Sequence, residues 1–122
     1  MIRGIGTDIV EIDRISNAIK KDYFLKKAFN DSEIDMAGGR NKDSFLAGNF
    51  ATKEAFVKAL GTGFRGVELK DLAVLRDELG RPFIKICNNL NRHLQGIDEN
   101  KIHVSISNTD SLAIAMVVIE TD

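Results

Sequence analysis

The sequence predicts an α+β domain in which an antiparallel sheet packs against one long central helix and several shorter helices. Residues 44–60 place apolar side chains at helical spacing, and this is the longest such pattern in the chain. Residues 67–87 and 103–120 each contain two apolar segments around a turn-rich link, which is typical of β-hairpins. The 122 residues show no repeat, linker or low-complexity tract, so we expect a single domain over residues 1–122.

The first third of the chain begins with a strand and continues into helices. Residues 2–9 are predicted to form the strand, and residues 11–29 carry apolar side chains at mostly helical spacing. Residues 11–29 therefore form one broken helix or two short ones. Residues 30–32 are Asn, Asp and Ser, whose oxygens can cap a further short helix that ends at Gly38 and Gly39.

The long helix has clear start and stop signals. Asp43 or Ser44 can cap its first turn, and Gly61 suits the left-handed residue that ends many helices. Gly48 inside the helix costs about 1 kcal/mol relative to alanine, which indicates close packing at that position.

The second half is predicted to be mainly β-structure. Residues 67–77 and 82–87 form one hairpin through ELGR, and residues 103–107 and 112–120 form another through NTDS. Residues 88–96 are predicted to form a short helix that ends at Gly96. Residues 112–119 are apolar without interruption, so we expect both faces of that strand to be covered, one of them by another copy of the chain.

Composition excludes several classes of function. The chain is 43% hydrophobic and 29% charged, and it has no apolar stretch of membrane-spanning length and no secretory segment, so we expect a cytoplasmic protein without a membrane partner. A net charge of −1 argues against general nucleic-acid binding. The single cysteine, Cys87, cannot form an internal disulfide, shows no zinc spacing with His93 or His103, and is expected in the core.

Asp8 places a carboxylate within an apolar strand, where burial must be compensated. It either caps the following helix or takes part in a cation site. Glu54 and Lys58 lie one helical turn apart, as a surface salt bridge or at the border of the core. If Asp8 and Glu54 meet, their oxygens suit Mg²⁺, and Lys58 could neutralise a departing phosphate.

The residues that follow the long helix are not a phosphate-binding loop. Residues 61–63, Gly-Thr-Gly, come at a helix C-terminus, where the helix dipole repels anions. Their glycines allow a ligand to approach the backbone closely, so Gly61, Thr62 and Gly63 are candidate ligand-binding residues.

The segment from residue 14 to residue 27 carries a local positive charge. Its basic residues are opposed only by Asp22, and they are Arg14, Lys20, Lys21, Lys26 and Lys27. This is either a solvated helix face or a docking surface for an acidic partner.

Four segments together resemble the signature of a known family. GIGTDIVEIDRI (residues 4–15), FATKEAFVKALGTG (50–63), GRP (80–82) and HVSIS (103–107) resemble, in this order, the small-type 4'-phosphopantetheinyl transferases, the holo-acyl-carrier-protein synthases. The resemblance implies an α+β trimer with active sites between subunits. It implies Mg²⁺-dependent transfer of phosphopantetheine from coenzyme A to a serine of apo-acyl-carrier protein, which gives holo-carrier protein and 3',5'-ADP for fatty acid biosynthesis.

The resemblance also implies roles for individual residues. Asp8 and Glu54 would bind the metal, Glu54 or a water that it orients would take the serine proton, and Lys58 would support the departing 3',5'-ADP. The nucleotide of coenzyme A would contact Arg81, Pro82, His103 and Ser105, the last two from the neighbouring subunit. The carrier protein would contact Arg14, Lys20 and Lys21.

Two positions depart from the family pattern. Asn49 stands where the family commonly has arginine, and Asn108 stands where it commonly has histidine, so both bear on phosphate contacts; Arg40 or Lys42 could substitute. Two other functions remain as alternatives. One is a non-catalytic oligomeric module that binds an acidic protein, and the other is a metal-dependent coenzyme A phosphohydrolase.

Overall fold

The computed structural model describes residues 1–39 and 41–122 and has the predicted α+β architecture. Its helices are α1 (Ile12–Ala18), α2 (Asp22–Ala28), α3 (Asp31–Met36) and α4 (Lys42–Leu60). Its strands are β1 (Ile2–Glu11), β2 (Leu72–Arg76), β3 (Pro82–Ile86), β4 (Ile102–Asn108) and β5 (Leu112–Glu120). Of the two alternatives for residues 11–29, the structure has the two short helices.

The strands form two antiparallel sheets, not one. One sheet has three strands in the order β1-β5-β4, and the other is the β2-β3 hairpin. The β4-β5 hairpin closes where the Thr109 amide donates to the Leu112 carbonyl at 2.8 Å. Both predicted hairpins are therefore confirmed.

Helix α4 lies at the centre of the fold, between two apolar clusters. One cluster packs it against the sheets and includes Phe56, Val74 and Val117. The other packs it against α1, α2 and α3 and includes Ile15 and Phe29. The helix ends at Gly61, whose φ of 87° is the predicted left-handed stop.

Strand β1 lies directly on the backbone of α4. A Cβ atom added to Gly4 would lie 1.8 Å from the carbonyl oxygen of Ala59, and one added to Gly6 would lie 1.8 Å from that of Ala55. No side chain fits at either position, so strand and helix touch through their main chains. Because side chains alternate along a strand, Asp8 shares the inner face with Gly4 and Gly6.

The outer face of the three-stranded sheet is open in a single chain. Along β5 the inward residues are buried, whereas Leu112, Ile114 and Met116 are 36%, 45% and 44% exposed. On β1, Ile5 and Ile9 are also exposed on this face. A single chain thus covers only the inner face of β5, and the cover of its outer face by another copy of the chain stays a prediction.

Two local predictions are wrong. Residues 88–96 form turns instead of a helix, because side-chain oxygens take the backbone donors: the Leu90 amide donates to Asn88 Oδ1 and the His93 amide donates to Asn91 Oδ1. Cys87 is exposed and does not belong to the core. Among the helices of the described residues, none has the length and apolar character needed to cross a membrane.

Candidate active site

Asp8 lies inside β1, four residues before the first residue of the helix that it could have capped. The N-cap of α1 is Glu11, and no side chain caps that helix end. The capping alternative for Asp8 is therefore wrong. Its side chain is 18% exposed and faces α4.

Lys58 reaches from α4 to the strand. Its ammonium group lies 3.3 Å from Asp8 Oδ1 and donates to the Thr7 carbonyl at 3.0 Å. The pair therefore links helix and strand, and the alternative of a surface salt bridge from Lys58 to Glu54 is wrong. The Lys58 side chain is 55% exposed, so the ammonium group remains accessible to a ligand.

Glu54, unlike Asp8, has no basic side chain within ion-pair distance among the described residues. Within residues 1–39 and 41–122, it belongs to none of the ion pairs. Burial raises its pKa, the negative charge of Asp8 raises it further, and the charges of Lys58 and Arg14 partly oppose this. A carboxylate with a raised pKa is better suited to accept a proton near neutral pH than an ordinary one.

Asp8 and Glu54 line the same cleft, which has a volume of about 370 Å³. Arg14 of α1 lies at this cleft, together with an apolar wall that includes Phe24 and Phe50. Two carboxylates suit Mg²⁺, which usually takes one or two and completes its shell with water and substrate phosphates. No group of three or more His, Cys, Asp and Glu side chains with metal-site geometry occurs in the described part of the chain.

The glycine turn after α4 lies beside a second cleft that also reaches Glu54. Gly61 and Gly63 have positive φ values of 87° and 59°, and the Thr62 hydroxyl donates to the Gly63 carbonyl at 2.7 Å. The second cleft has a volume of about 290 Å³ and includes Phe64 of the following segment.

His103 and Ser105 lie on the opposite side of the sheet from Asp8. Asp8 pairs with Ala115, which pairs with Ile106 of β4, so Ile106 shares the face of Asp8. His103 and Ser105 alternate with it and point outward. One chain alone therefore does not bring them to the carboxylates; His103 Nε2 instead lies 3.4 Å from Glu120 Oε1.

Arg81 and Pro82 lie at the turn between β2 and β3. The Arg81 amide donates to Asp77 Oδ1 at 2.9 Å, Gly80 has a φ of 82°, and Pro82 begins β3. The Arg81 side chain is exposed.

The predicted carrier-binding residues lie on and just after α1. Arg14 lines the cleft of Asp8 and Glu54, while Lys20 and Lys21 lie in the turn before α2. Lys20 donates to Asn17 Oδ1 at 3.4 Å. Arg14 thus belongs both to the basic segment and to the cleft that contains Asp8 and Glu54.

Sequence reasoning missed a buried polar network beside this site. Glu33 and Lys53 are both 0% exposed, and Lys53 Nζ donates to Glu33 Oε1 at 2.7 Å and to the Ala28 carbonyl at 2.8 Å. Asn49 donates to Glu33 Oε2 and to the Val74 carbonyl. Asn49 and Lys53 are polar residues four apart on the buried side of a helix, and this signal could have revealed the network.

The two departures from the family pattern have different environments. Asn49 is fully buried, so its side chain is not accessible to a phosphate. Asn108 is exposed and lines a separate cleft of about 430 Å³ together with Lys42. Arg40 lies outside the described residues.

Comparison with known proteins gives the family. A family model described as the 4'-phosphopantetheinyl transferase superfamily matches residues 4–117. The chain belongs to this superfamily. Among its relatives, the holo-[acyl-carrier-protein] synthase of Clostridium botulinum (strain Eklund 17B / Type B) is 48% identical over 122 residues, which cover 98% of each chain.

Solved structures of transferases in this superfamily have the same fold. The holo-[acyl-carrier-protein] synthase from Neisseria meningitidis superposes with a TM-score of 0.87 at 36% identity, over 99% of this chain and 100% of that one. The enzyme from Bacillus anthracis str. Ames, in complex with CoA (3',5'-ADP), gives a TM-score of 0.82 at 34% identity, over 100% and 99% of the two chains.

Proposed function

We propose that this protein transfers 4'-phosphopantetheine from coenzyme A to a serine of apo-acyl-carrier protein and so produces holo-carrier protein and 3',5'-ADP. The observation that carries the proposal is the shared cleft of Asp8 and Glu54 with Lys58 at its edge. It occurs in a transferase-superfamily chain whose relatives are named holo-[acyl-carrier-protein] synthase. The transferred groups would serve fatty acid biosynthesis in the cytoplasm.

Asp8 and Glu54 would hold Mg²⁺ through their carboxylate oxygens. When bound, the ion would spread the negative charge of the coenzyme A diphosphate. Gly4 and Gly6 bring the β1 backbone against the α4 backbone and leave the strand little freedom to shift. These contacts would therefore hold Asp8 in position. The carboxylates are thereby held in place before any substrate arrives.

The protein groups then have separate tasks in the transfer. The serine oxygen attacks the phosphorus that bears the pantetheine arm, and the bond from that phosphorus to the 3',5'-ADP oxygen breaks. Glu54 accepts the serine proton, directly or through a water that it orients. Lys58 leaves Asp8 and neutralises the charge that develops on the departing 3',5'-ADP.

The acceptor would dock on the basic segment at Arg14, Lys20 and Lys21. Acidic helices of a carrier protein suit these charges, and Arg14 is the one that lines the cleft. The serine would then enter the cleft past Arg14.

A homotrimer would complete the nucleotide site. His103 and Ser105 point outward from a sheet face that also exposes Ile5, Ile114 and Met116, so this face is suited to bind a neighbouring subunit. The neighbour's Asp8 would then approach His103 and Ser105. Two inactive variants, Glu54→Gln and His103→Ala, should regain activity when refolded together, because some mixed sites combine both intact residues.

The deciding experiment weighs a carrier protein. Purified protein, coenzyme A, Mg²⁺ and an apo-carrier protein are incubated, and mass spectrometry should show the carrier gaining one phosphopantetheine. Asp8→Asn and Glu54→Gln should abolish this gain, as should chelation of the metal, whereas the exposed control Asp35→Asn should not. An unmodified carrier would contradict the proposal and favour the binding module. Release of 3',5'-ADP without any acceptor would favour the phosphohydrolase.

A further inference from the structure

Helix α2 is anchored at its C-terminal end. Ala28 is the single fully buried residue among its seven, all of which the structure describes. At the start of the helix, the side chain of the N-cap residue Lys21 makes no hydrogen bond to the backbone, and Tyr23 of the first turn is 72% exposed. The position of α2 therefore depends on the contacts at Ala28 and on the partly buried side of the helix, which includes Phe24.

Lys53 of α4 makes the contact at Ala28. Its ammonium group donates to the Ala28 carbonyl at 2.8 Å and to Glu33 Oε1 at 2.7 Å, and both charged side chains are 0% exposed. The other oxygen of Glu33 accepts from Asn49 Nδ2 at 3.0 Å and from the Val74 amide at 3.2 Å. Because water does not replace these partners in the interior, the ammonium group is held in one position. Lys53 thus ties the end of α2 to the middle of α4.

Aromatic side chains extend this contact to the cleft. Lys53 Nζ lies 5.2 Å from the centre of the Phe29 ring. The Phe29 ring packs edge-on against Phe24, with 6.5 Å between the ring centres, and the Phe24 ring lies 6.2 Å from that of Phe50. Phe24 and Phe50 belong to the apolar wall of the cleft that contains the two site carboxylates. A displacement of the Lys53 ammonium group would therefore move the wall along which the acceptor serine enters.

We propose that Lys53 and Glu33 are positioning residues for the carrier protein. The proposal rests on the proposed function and extends it to two residues that touch neither substrate, because neither side chain is accessible. Through the end of α2, the pair fixes the Phe24 side of the cleft and the basic turn of Lys20 and Lys21 that leads into the helix. The pair therefore sets the affinity for the carrier and leaves the affinity for coenzyme A unchanged.

Two variants of the pair separate positioning from stability. Lys53→Met should raise the KM for the carrier about tenfold in the carrier-modification assay, within the contribution of one hydrogen bond from a charged group, and leave the KM for coenzyme A unchanged. The double variant Lys53→Met/Glu33→Gln leaves no unpaired buried charge, so it should regain part of the urea midpoint. It still lacks the donor to the Ala28 carbonyl, so its KM for the carrier should stay raised. The Kd of apo-carrier protein, measured by calorimetry without coenzyme A, should follow the same pattern.

A core truncation elsewhere is the matched control. Leu94 is 2% exposed and belongs to the apolar cluster on the sheet side of α4. Leu94→Ala should lower the urea midpoint by an amount comparable to Lys53→Met, because it leaves a cavity in the core. Its KM for the carrier should equal that of the wild type.

The outcomes distinguish positioning from stability and from the reaction itself. A carrier KM that returns to the wild-type value in the double variant would overturn the proposal, because the effect of Lys53→Met would then be a loss of stability. An unchanged carrier KM in Lys53→Met, or an equal rise of both KM values, would overturn it as well. If Lys53→Met does not fold, the double variant decides. In all these cases the wild-type protein would still modify the carrier, whereas failure of the proposed function would show as no modification by the wild type, with the calorimetric Kd still testing the pair.

Discussion

Replacing Lys53 with methionine tests whether the buried Glu33–Lys53 pair holds the helices together. Both side chains are 0% exposed, so the substitution leaves the Glu33 carboxylate buried without its cation and the Ala28 carbonyl without the Lys53 donor. Breaking a buried pair costs about 3–5 kcal/mol. Glu33 keeps amide donors from Asn30 and Val74, so we expect about 3 kcal/mol, the lower end of that range.

Urea unfolding followed by circular dichroism measures this loss. With a slope of about 2 kcal/mol per molar, the midpoint should fall by about 1.5 M. All variants are compared at one protein concentration, because oligomer formation makes apparent stability depend on it. Lys26→Met, which removes an exposed cation of α2, should shift the midpoint by less than about 0.3 M.

The double variant Lys53→Met/Glu33→Gln identifies the cause. Its neutral amide leaves no unpaired buried charge, so it should be more stable than Lys53→Met alone. If Lys53→Met unfolds at the wild-type midpoint, or if Glu33→Gln in that background lowers stability further, the buried charge is not the origin of the effect.

Three further changes probe the site. Glu54→Gln should raise the melting temperature of the metal-free protein at pH 7. The raised pKa of Glu54 means that the fold disfavours the ionised form, and the gain should vanish below the ordinary glutamate pKa of about 4.3. Gly6→Ala should cost about 3 kcal/mol in urea unfolding and weaken Mn²⁺ binding measured by electron paramagnetic resonance, because its Cβ collides with the Ala55 carbonyl and displaces Asp8. Arg14→Glu should raise the KM for the carrier about tenfold in the carrier-modification assay, leave the KM for coenzyme A unchanged, and lose its effect in high salt.

Each of these changes has a control or an opposing result. A lower melting temperature for Glu54→Gln at pH 7 would refute the raised pKa. Gly38→Ala has room for its Cβ, with the nearest atom at 3.4 Å, and should leave both stability and Mn²⁺ binding unchanged. Arg92→Glu reverses an exposed charge away from the cleft and should not alter the KM for the carrier; an equal effect from it would mean that net charge alone matters.

The sequence predicted correctly those elements whose conformation is set by residues close together in the chain. The period of α4 and the stop at Gly61 depend on backbone physics within a few residues, and both are as predicted. The alternation of β4 and the turn at Thr109 were recognisable for the same reason. Asp8 could be identified as a candidate site residue because a charge in an apolar strand needs a compensating partner.

The remaining features depend on contacts between distant segments. Nothing along the chain indicates that Lys58 pairs with Asp8 across the helix–strand contact and not with Glu54 one turn away. Glu33 has partners on α4 and β2 as well as at its own N-cap, so the capping motif revealed only the nearest of them. The Asn91 side chain accepts from the His93 amide, and this local hydrogen bond favours a turn although the apolar spacing favours a helix.

The missing side chains at Gly4 and Gly6 also restrict how β1 can pair during folding. A slip of one residue along β5 would turn Ile5 toward the α4 backbone, where an added carbon would already overlap a carbonyl oxygen, and would send Asp8 outward. Steric exclusion thus disfavours the mispaired register, and a chain that completes its fold has the Asp8 carboxylate facing α4.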